Sequence, residues 1–170
     1  MNAEMIVLRL LHIGLGVVWA GAIFFFVLFL EPAVRAAGPD GAKVMKGIQQ
    51  RHYMTILPVI AGLTLLTGLV LFMRLSAGRA AGWAASPVGM GYSIGGLAAI
   101  IAFFIGVFVM RRSALRAGRL STDMQTAEGD ARTALQARVQ ALQGRARTSA
   151  HWVAVLLAFS VGAMAIARYL

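Results

Sequence analysis

Charged residues along the chain fall in clusters separated by long apolar stretches. Leu10–Leu30 carries no charge over 21 residues, His52–Met73 none over 22, Ala80–Met110 none over 31 and Thr148–Ala167 none over 20. A helix rising 1.5 Å per residue needs about 20 residues to cross a ~30 Å hydrocarbon layer. The pattern therefore predicts an all-α integral membrane protein. It is a four-helix bundle in a single domain, 1–170, with spans at 6–30, 53–74, 88–110 and 149–169. The first stretch exceeds the roughly 7–15 apolar residues of a cleaved leader, so a retained helix is expected.

The connections carry their own signals. Glu31-Pro32 reads as a helix stop, and Gly38-Pro39-Asp40-Gly41 as a turn. Asp40 is placed to cap a helix running through Lys43 and Arg51 into the second span. Ser76 to Val88 is a short outward connection with Trp83 as an interfacial anchor. The third span should continue to about Arg119, with Ser121 or Thr122 capping the next helical segment. After Gly129, Asp130 to Ala146 is helical in composition, and Leu135, Val139 and Leu142 recur at i, i+4 and i+7. The region 111–148 is thus expected to form an extended cytoplasmic helical hairpin between the third and fourth spans. Its narrow stripe either packs on the same chain or docks a partner.

Composition sharpens the class. Apolar residues make up 59% of the chain and charged ones 13%, where a soluble domain carries about 25% charged. There are too few polar residues to cover a water-soluble domain of this size. The absence of cysteine removes disulfides, thiolate metal sites and cysteine nucleophiles. The net charge is +10, and 12 of the 16 basic residues lie in the connections after the first and third spans. Positive connections stay in the cytoplasm. Both termini should then face the periplasmic side of a bacterial-type inner (plasma) membrane. No aromatic residues interleave with the arginines, so nucleic acid is not an expected partner. The expected partners are the lipid bilayer and either other membrane-protein subunits or further copies of the chain.

Helix faces at 100° per residue suggest how the spans meet. Met5, Arg9, His12, Gly16, Trp19, Ile23, Phe26 and Leu30 share one face of the first span. Phe24, Phe25 and Phe26 give it an aromatic outer surface. Small residues line the third span (Gly91, Gly95, Ala98, Ala102, Gly106) and the fourth (His151, Ala154, Ala158, Gly162, Ala165, Tyr169). Small residues let helix backbones approach in lipid, so these two spans are expected to lie close, with each other or with another chain. Pro58 should bend the second span, while Thr64 and Thr67 bond to their own helix carbonyls.

Three histidines are the chemical handles. His52 and His151 lie at the cytoplasmic level and would hold a b-type haem if the second and fourth spans were neighbours, with Met54 and Met110 at the same depth. His12 lies near the outer edge, where Met73, Met90 or Met164 would pair with it around haem or copper. All six carboxylates lie outside the spans, which leaves no buried acid–base pair and no catalytic residue to nominate.

The segment from Leu10 through His12 and Trp19 to Gly21 resembles the first helix of copper-resistance D and HemJ-like membrane proteins, in which a His is followed by Trp and small residues. Arg51-His52-Tyr53-Met54 through Gly68-Leu69-Val70 is similar to the second helix of that family. The likeness covers about 65 residues, confined to the first two spans, and has Arg9 where the HemJ pattern has Lys. It implies a role for His12 in binding b-type haem or handling copper. Three functions are expected from these readings. The first is a non-catalytic accessory subunit of a larger respiratory or photosynthetic membrane complex. The second is a haem-binding HemJ-like oxidoreductase or electron-transfer protein, and the third a copper-handling protein.

Overall fold

A computed structural model describes residues 3–77, 79 and 82–170. Every regular element among them is helical: α1 Ala3–Ala36, α2 Pro39–Gln50, α3 Tyr53–Ser76, α4 Pro87–Asp123 and α5 Gly129–Ala167, with a single 3₁₀ turn at Trp83–Ala85. Helices α1, α3, α4 and α5 are each long and apolar enough to cross a membrane. Their outer faces carry large apolar side chains such as Leu10, Phe25, Phe29, Ile56, Val59, Phe104 and Phe159. Water would not tolerate that surface, whereas lipid would, and the architecture fits a multi-pass membrane protein.

The helices alternate in direction. Arg74 near the end of α3 bonds Glu4 at the start of α1 at 2.7 Å, and Arg147 of α5 lies 3.9 Å from Glu31 of α1. The main pairings are α4 with α5 and α1 with α3, completed by lighter contacts of α3 with α4 and of α1 with α5. Neither diagonal, α1 with α4 or α3 with α5, makes an extended contact. The core is built from Trp19, Ile23 and Val27 of α1, Leu57 and Ala61 of α3, Ala99 and Ala102 of α4, and Ala150, Val153 and Leu157 of α5.

Several expectations about helix ends are corrected. Glu31-Pro32 does not stop α1. The five residues before it, Phe26–Leu30, form a π turn, and the Glu31 N–H bonds the Phe26 carbonyl. That wider turn absorbs the missing proline N–H and the ring, so the helix continues to Ala36. Asp40 is not a cap: Gly38, at φ 55°, holds that position, and Asp40 sits in the first turn paired with Lys43 at 2.7 Å. Helix α2 does not run into α3 either. His52 takes a left-handed conformation (φ 59°) and breaks the two apart. The break lets α2 fold back on α1, where Gly41 lies so close to the Val34 carbonyl that no side chain would fit.

Ser121 and Thr122 cap nothing. Both hydroxyls bond carbonyls inside α4, at Ala117 (2.8 Å) and Gly118 (3.3 Å), because that helix runs on to Asp123. Its last turns pack on the first half of α5, where Val139 is buried and Leu135 and Leu142 half-buried. The stripe is therefore covered by the same chain. The start of α4 has a true cap in Ser86, whose Oγ accepts the Gly89 N–H at 3.2 Å with Pro87 in the first turn.

The small-residue face of α4 meets α5 as expected. A Cβ on Gly91 would stand 2.7 Å from that of Ala167, and one on Gly95 would stand 3.1 Å from the Ser160 carbonyl. The face of α5 that answers is different from the one expected. It runs through Ser149, Ala150, Val153, Leu157, Ser160 and Ala167, whereas His151, Ala158, Gly162, Ala165 and Tyr169 are exposed. Larger apolar residues with two serines fill the α4 groove better than a bare alanine–glycine stripe. Buried Ser160 adds a hydrogen bond from its Oγ to the Gly95 carbonyl at 2.7 Å. On α1, Phe25 alone of the three phenylalanines is outward; Phe24 and Phe26 pack against the core.

Candidate functional site

Two places gather polar atoms between the helices. The first is the α1–α3 seam. The His12 Nδ1 lies 2.9 Å from the Thr64 carbonyl oxygen and 3.5 Å from the Thr67 hydroxyl. A carbonyl can only accept, so Nδ1 carries a proton and donates; in the neutral ring the lone pair is then on Nε2. Both threonine hydroxyls are spent on their own helix, Thr64 on the Ile60 carbonyl at 2.9 Å and Thr67 on that of Leu63 at 2.8 Å. Gly68 makes room for the ring, since a Cβ there would come within 2.7 Å of Cε1. An imidazole held through Nδ1–H by a backbone carbonyl is the arrangement that orients Nε2 for a metal.

Met164 lies over Gly95 at the α4–α5 seam, while Met73 and Met90 are exposed. His52 is exposed in its left-handed turn, and His151 is exposed with Nδ1 donating to the Arg147 carbonyl at 2.9 Å. Those two histidines ride on α3 and α5, the diagonal pair. Met54 and Met110 are buried in the core. No cluster of three or more His, Asp or Glu with metal-binding geometry occurs among the described residues. Among the described residues, the side chains thus offer haem or copper one well-oriented nitrogen, that of His12.

The second place carries no comparable mark in the sequence. Pro58 has no N–H to give the carbonyl four residues back, that of Met54. Arg111 fills the gap, donating from Nε to the Met54 oxygen at 2.6 Å. Beside this bond lies a crevice of about 40 Å³, floored by Trp19, Ile23 and Val153 and walled by Tyr53, Leu57 and Pro58 of α3 and by Phe103, Gly106 and Met110 of α4. Tyr53 lines it, and its hydroxyl is buried with no hydrogen-bond partner among the described residues. Arg111 belongs to a second π segment, Ile105–Arg111, which rotates the end of the span relative to a regular helix. A proline four residues after an ordinary methionine is the available signal. Which of eight neighbouring arginines would answer it is not written in the pattern. The chain matches no protein-family model, no curated protein and no solved structure, so its function is read from these residues.

Proposed function

We propose that this chain is a non-catalytic accessory subunit of a bacterial-type inner membrane. In this reading the arginine-rich connections, including the 111–148 hairpin, lie in the cytoplasm, both termini lie outside, and another membrane protein packs against α5. The observation that carries it is the outward face of α5. Ala158, Gly162 and Ala165 are all exposed, and a Cβ on Gly162 would meet nothing within 4 Å. Lipid gains nothing from a bare backbone, whereas a second helix gains close approach. The bulky Val155, Phe159 and Ile166 stand exposed along one side of that strip.

The test is extraction from native membranes in mild detergent, followed by size analysis of the wild type and of a variant with Ala158→Leu, Gly162→Leu and Ala165→Leu. The reading expects the wild type in a larger assembly and the variant released from it, folded. A wild type that migrates alone, or a variant that stays in the assembly, removes it.

A second reading, b-type haem bound through His12, is favoured by the free Nε2 that the Nδ1–Thr64 bond leaves. When bound, haem would supply one-electron chemistry. A visible spectrum of the purified chain decides it: a Soret band lost in His12→Ala supports the reading, and a colourless wild type ends it. Bound copper without colour, lost in the same variant, would favour copper handling instead.

A further inference from the structure

We propose that the crevice between α3 and α4 binds the acidic headgroup of an anionic phospholipid, with Arg111 and Tyr53 as its polar contacts. The proposal needs the chain to lie in a bilayer but is independent of the accessory-subunit reading.

Three observations converge on this place. The first is a donor without an acceptor: the Tyr53 hydroxyl is buried and unpartnered, a state that buried polar groups rarely keep. The second is a charge without a counter-charge. Eleven of the twelve basic residues at this end of the bundle are exposed. Arg111 is the one drawn inward, and it forms no ion pair with a carboxylate among the described residues. Its Nε is committed to the Met54 carbonyl, which fixes the guanidinium plane and leaves the terminal nitrogens to bond elsewhere. The third is the space itself. A volume of about 40 Å³ leaves room for a small polar group.

The walls explain why the occupant would be a lipid rather than a free ion. Apart from Tyr53 and Arg111, the crevice is lined by apolar side chains, including Trp19, Leu57 and Phe103. Outside it the surfaces of α3 and α4 are also apolar, with Ile56 and Val59 on one side and Phe104 and Phe108 on the other. A phosphate held at Arg111 can therefore leave its acyl chains on those faces. Two distortions keep the seam open. Pro58 frees the carbonyl that anchors Arg111, and the Ile105–Arg111 π segment carries that arginine into the gap. Gly106, whose Cβ would stand 4.0 Å from Val153, leaves the volume unfilled.

The experiment uses the full chain reconstituted in phosphatidylcholine vesicles, with spin-labelled phosphatidylglycerol and spin-labelled phosphatidylcholine as probes. The wild type is expected to immobilise the anionic probe about fivefold in preference to the neutral one, the scale of one basic residue at an anionic surface. Gly106→Met, which adds a side chain to the lining of the crevice, should cut that preference to what the exposed arginines alone supply. Tyr53→Phe should lower it. Arg116→Gln, which removes an exposed arginine from the same end, should leave it intact. Arg111→Gln serves as a further variant if it folds, and should cut the preference as far as Gly106→Met does. The proposal is overturned if the wild type shows no preference, which would mean that water alone fills the space. It is also overturned if Arg116→Gln loses as much as Gly106→Met, which would assign the effect to general surface charge. Competition by inorganic phosphate at the level of the lipid probe would show a free-ion site, and would likewise overturn it.

Discussion

The imidazole of His12 occupies the space where a side chain on Gly68 would stand: a Cβ at position 68 would lie 2.7 Å from Cε1 and 3.1 Å from Nδ1. Gly68→Ala must therefore push the ring away from α3 and stretch its bond to the Thr64 carbonyl. The expected cost is about 1–3 kcal/mol, from overpacking and a weakened hydrogen bond, read as unfolding in detergent under increasing denaturant. His12→Ala in the same chain removes the obstacle, so the double variant should lose less than the two single losses added together. Strict additivity would mean that the ring and Gly68 do not share this space.

Pro58 and Arg111 form a second testable pair, because one removes a donor and the other supplies it. Arg111→Met leaves the Met54 carbonyl without its 2.6 Å partner, at a cost of about 1–3 kcal/mol. Pro58→Ala gives back the helical N–H. In the Pro58→Ala background Arg111→Met should therefore cost markedly less. An equal cost in both backgrounds would show that the guanidinium acts through something other than that carbonyl.

The two faces of α5 separate in the same way. Gly95→Ala on α4 would bring a methyl within 3.1 Å of the Ser160 carbonyl and 2.9 Å of the Met164 Cγ. The backbone contact cannot yield as a flexible side chain can, so a loss of about 1–3 kcal/mol is expected. Gly162→Ala meets open space and should stay within about 0.5 kcal/mol of the wild type in the isolated chain. Comparable losses at both positions would put α5 in the wrong rotation about its axis.

Those faces mark the limit of what the sequence discloses. Charge gaps place the four long helices because a charge in hydrocarbon is costly whatever the fold. The inward face of α1 is legible because Trp19 and Ile23 lie on one line with His12. On α5 two adjacent lines both look like seams, one small and one mixed. Only the shape of α4 opposite, with Gly91 and Gly95, selects the line through Ser160 and Ala167. Helix ends escape the pattern for a related reason. Pro32 is a breaking signal only if no wider turn absorbs it, as the π turn at Phe26–Leu30 does, and Ser121 and Thr122 are capping signals only if no tertiary contact carries the helix onward, as the packing of α4 on α5 does. The pairing of His52 with His151 is not legible in the pattern because it depends on which helices are neighbours, and α3 and α5 make no extended contact.

His52 tests local strain against function. Its φ of 59° is a conformation that costs an L-residue about 1 kcal/mol and costs glycine almost nothing. If the residue serves only to turn the chain between α2 and α3, His52→Gly should be neutral or stabilising by up to about 1 kcal/mol. If the imidazole is a haem ligand, the same variant should lose pigment while staying folded. The absorbance and unfolding midpoint of one preparation distinguish these outcomes.

Orientation is testable on this chain with unusual ease, since it has no native cysteine to remove. Thr126 is exposed in the connection from α4 to α5, among the arginines, and Ala84 is exposed in the turn between α3 and α4. Twelve of the sixteen basic residues share the Thr126 end, and moving them outward against the positive-inside bias is unfavourable. In right-side-out vesicles, a membrane-impermeant maleimide should therefore label Ala84→Cys at once, and Thr126→Cys only after permeabilisation. The reverse pattern would turn the proposed orientation over. Labelling of both sites in sealed vesicles would contradict an odd number of crossings between them, and with it the reading of α4 as a span.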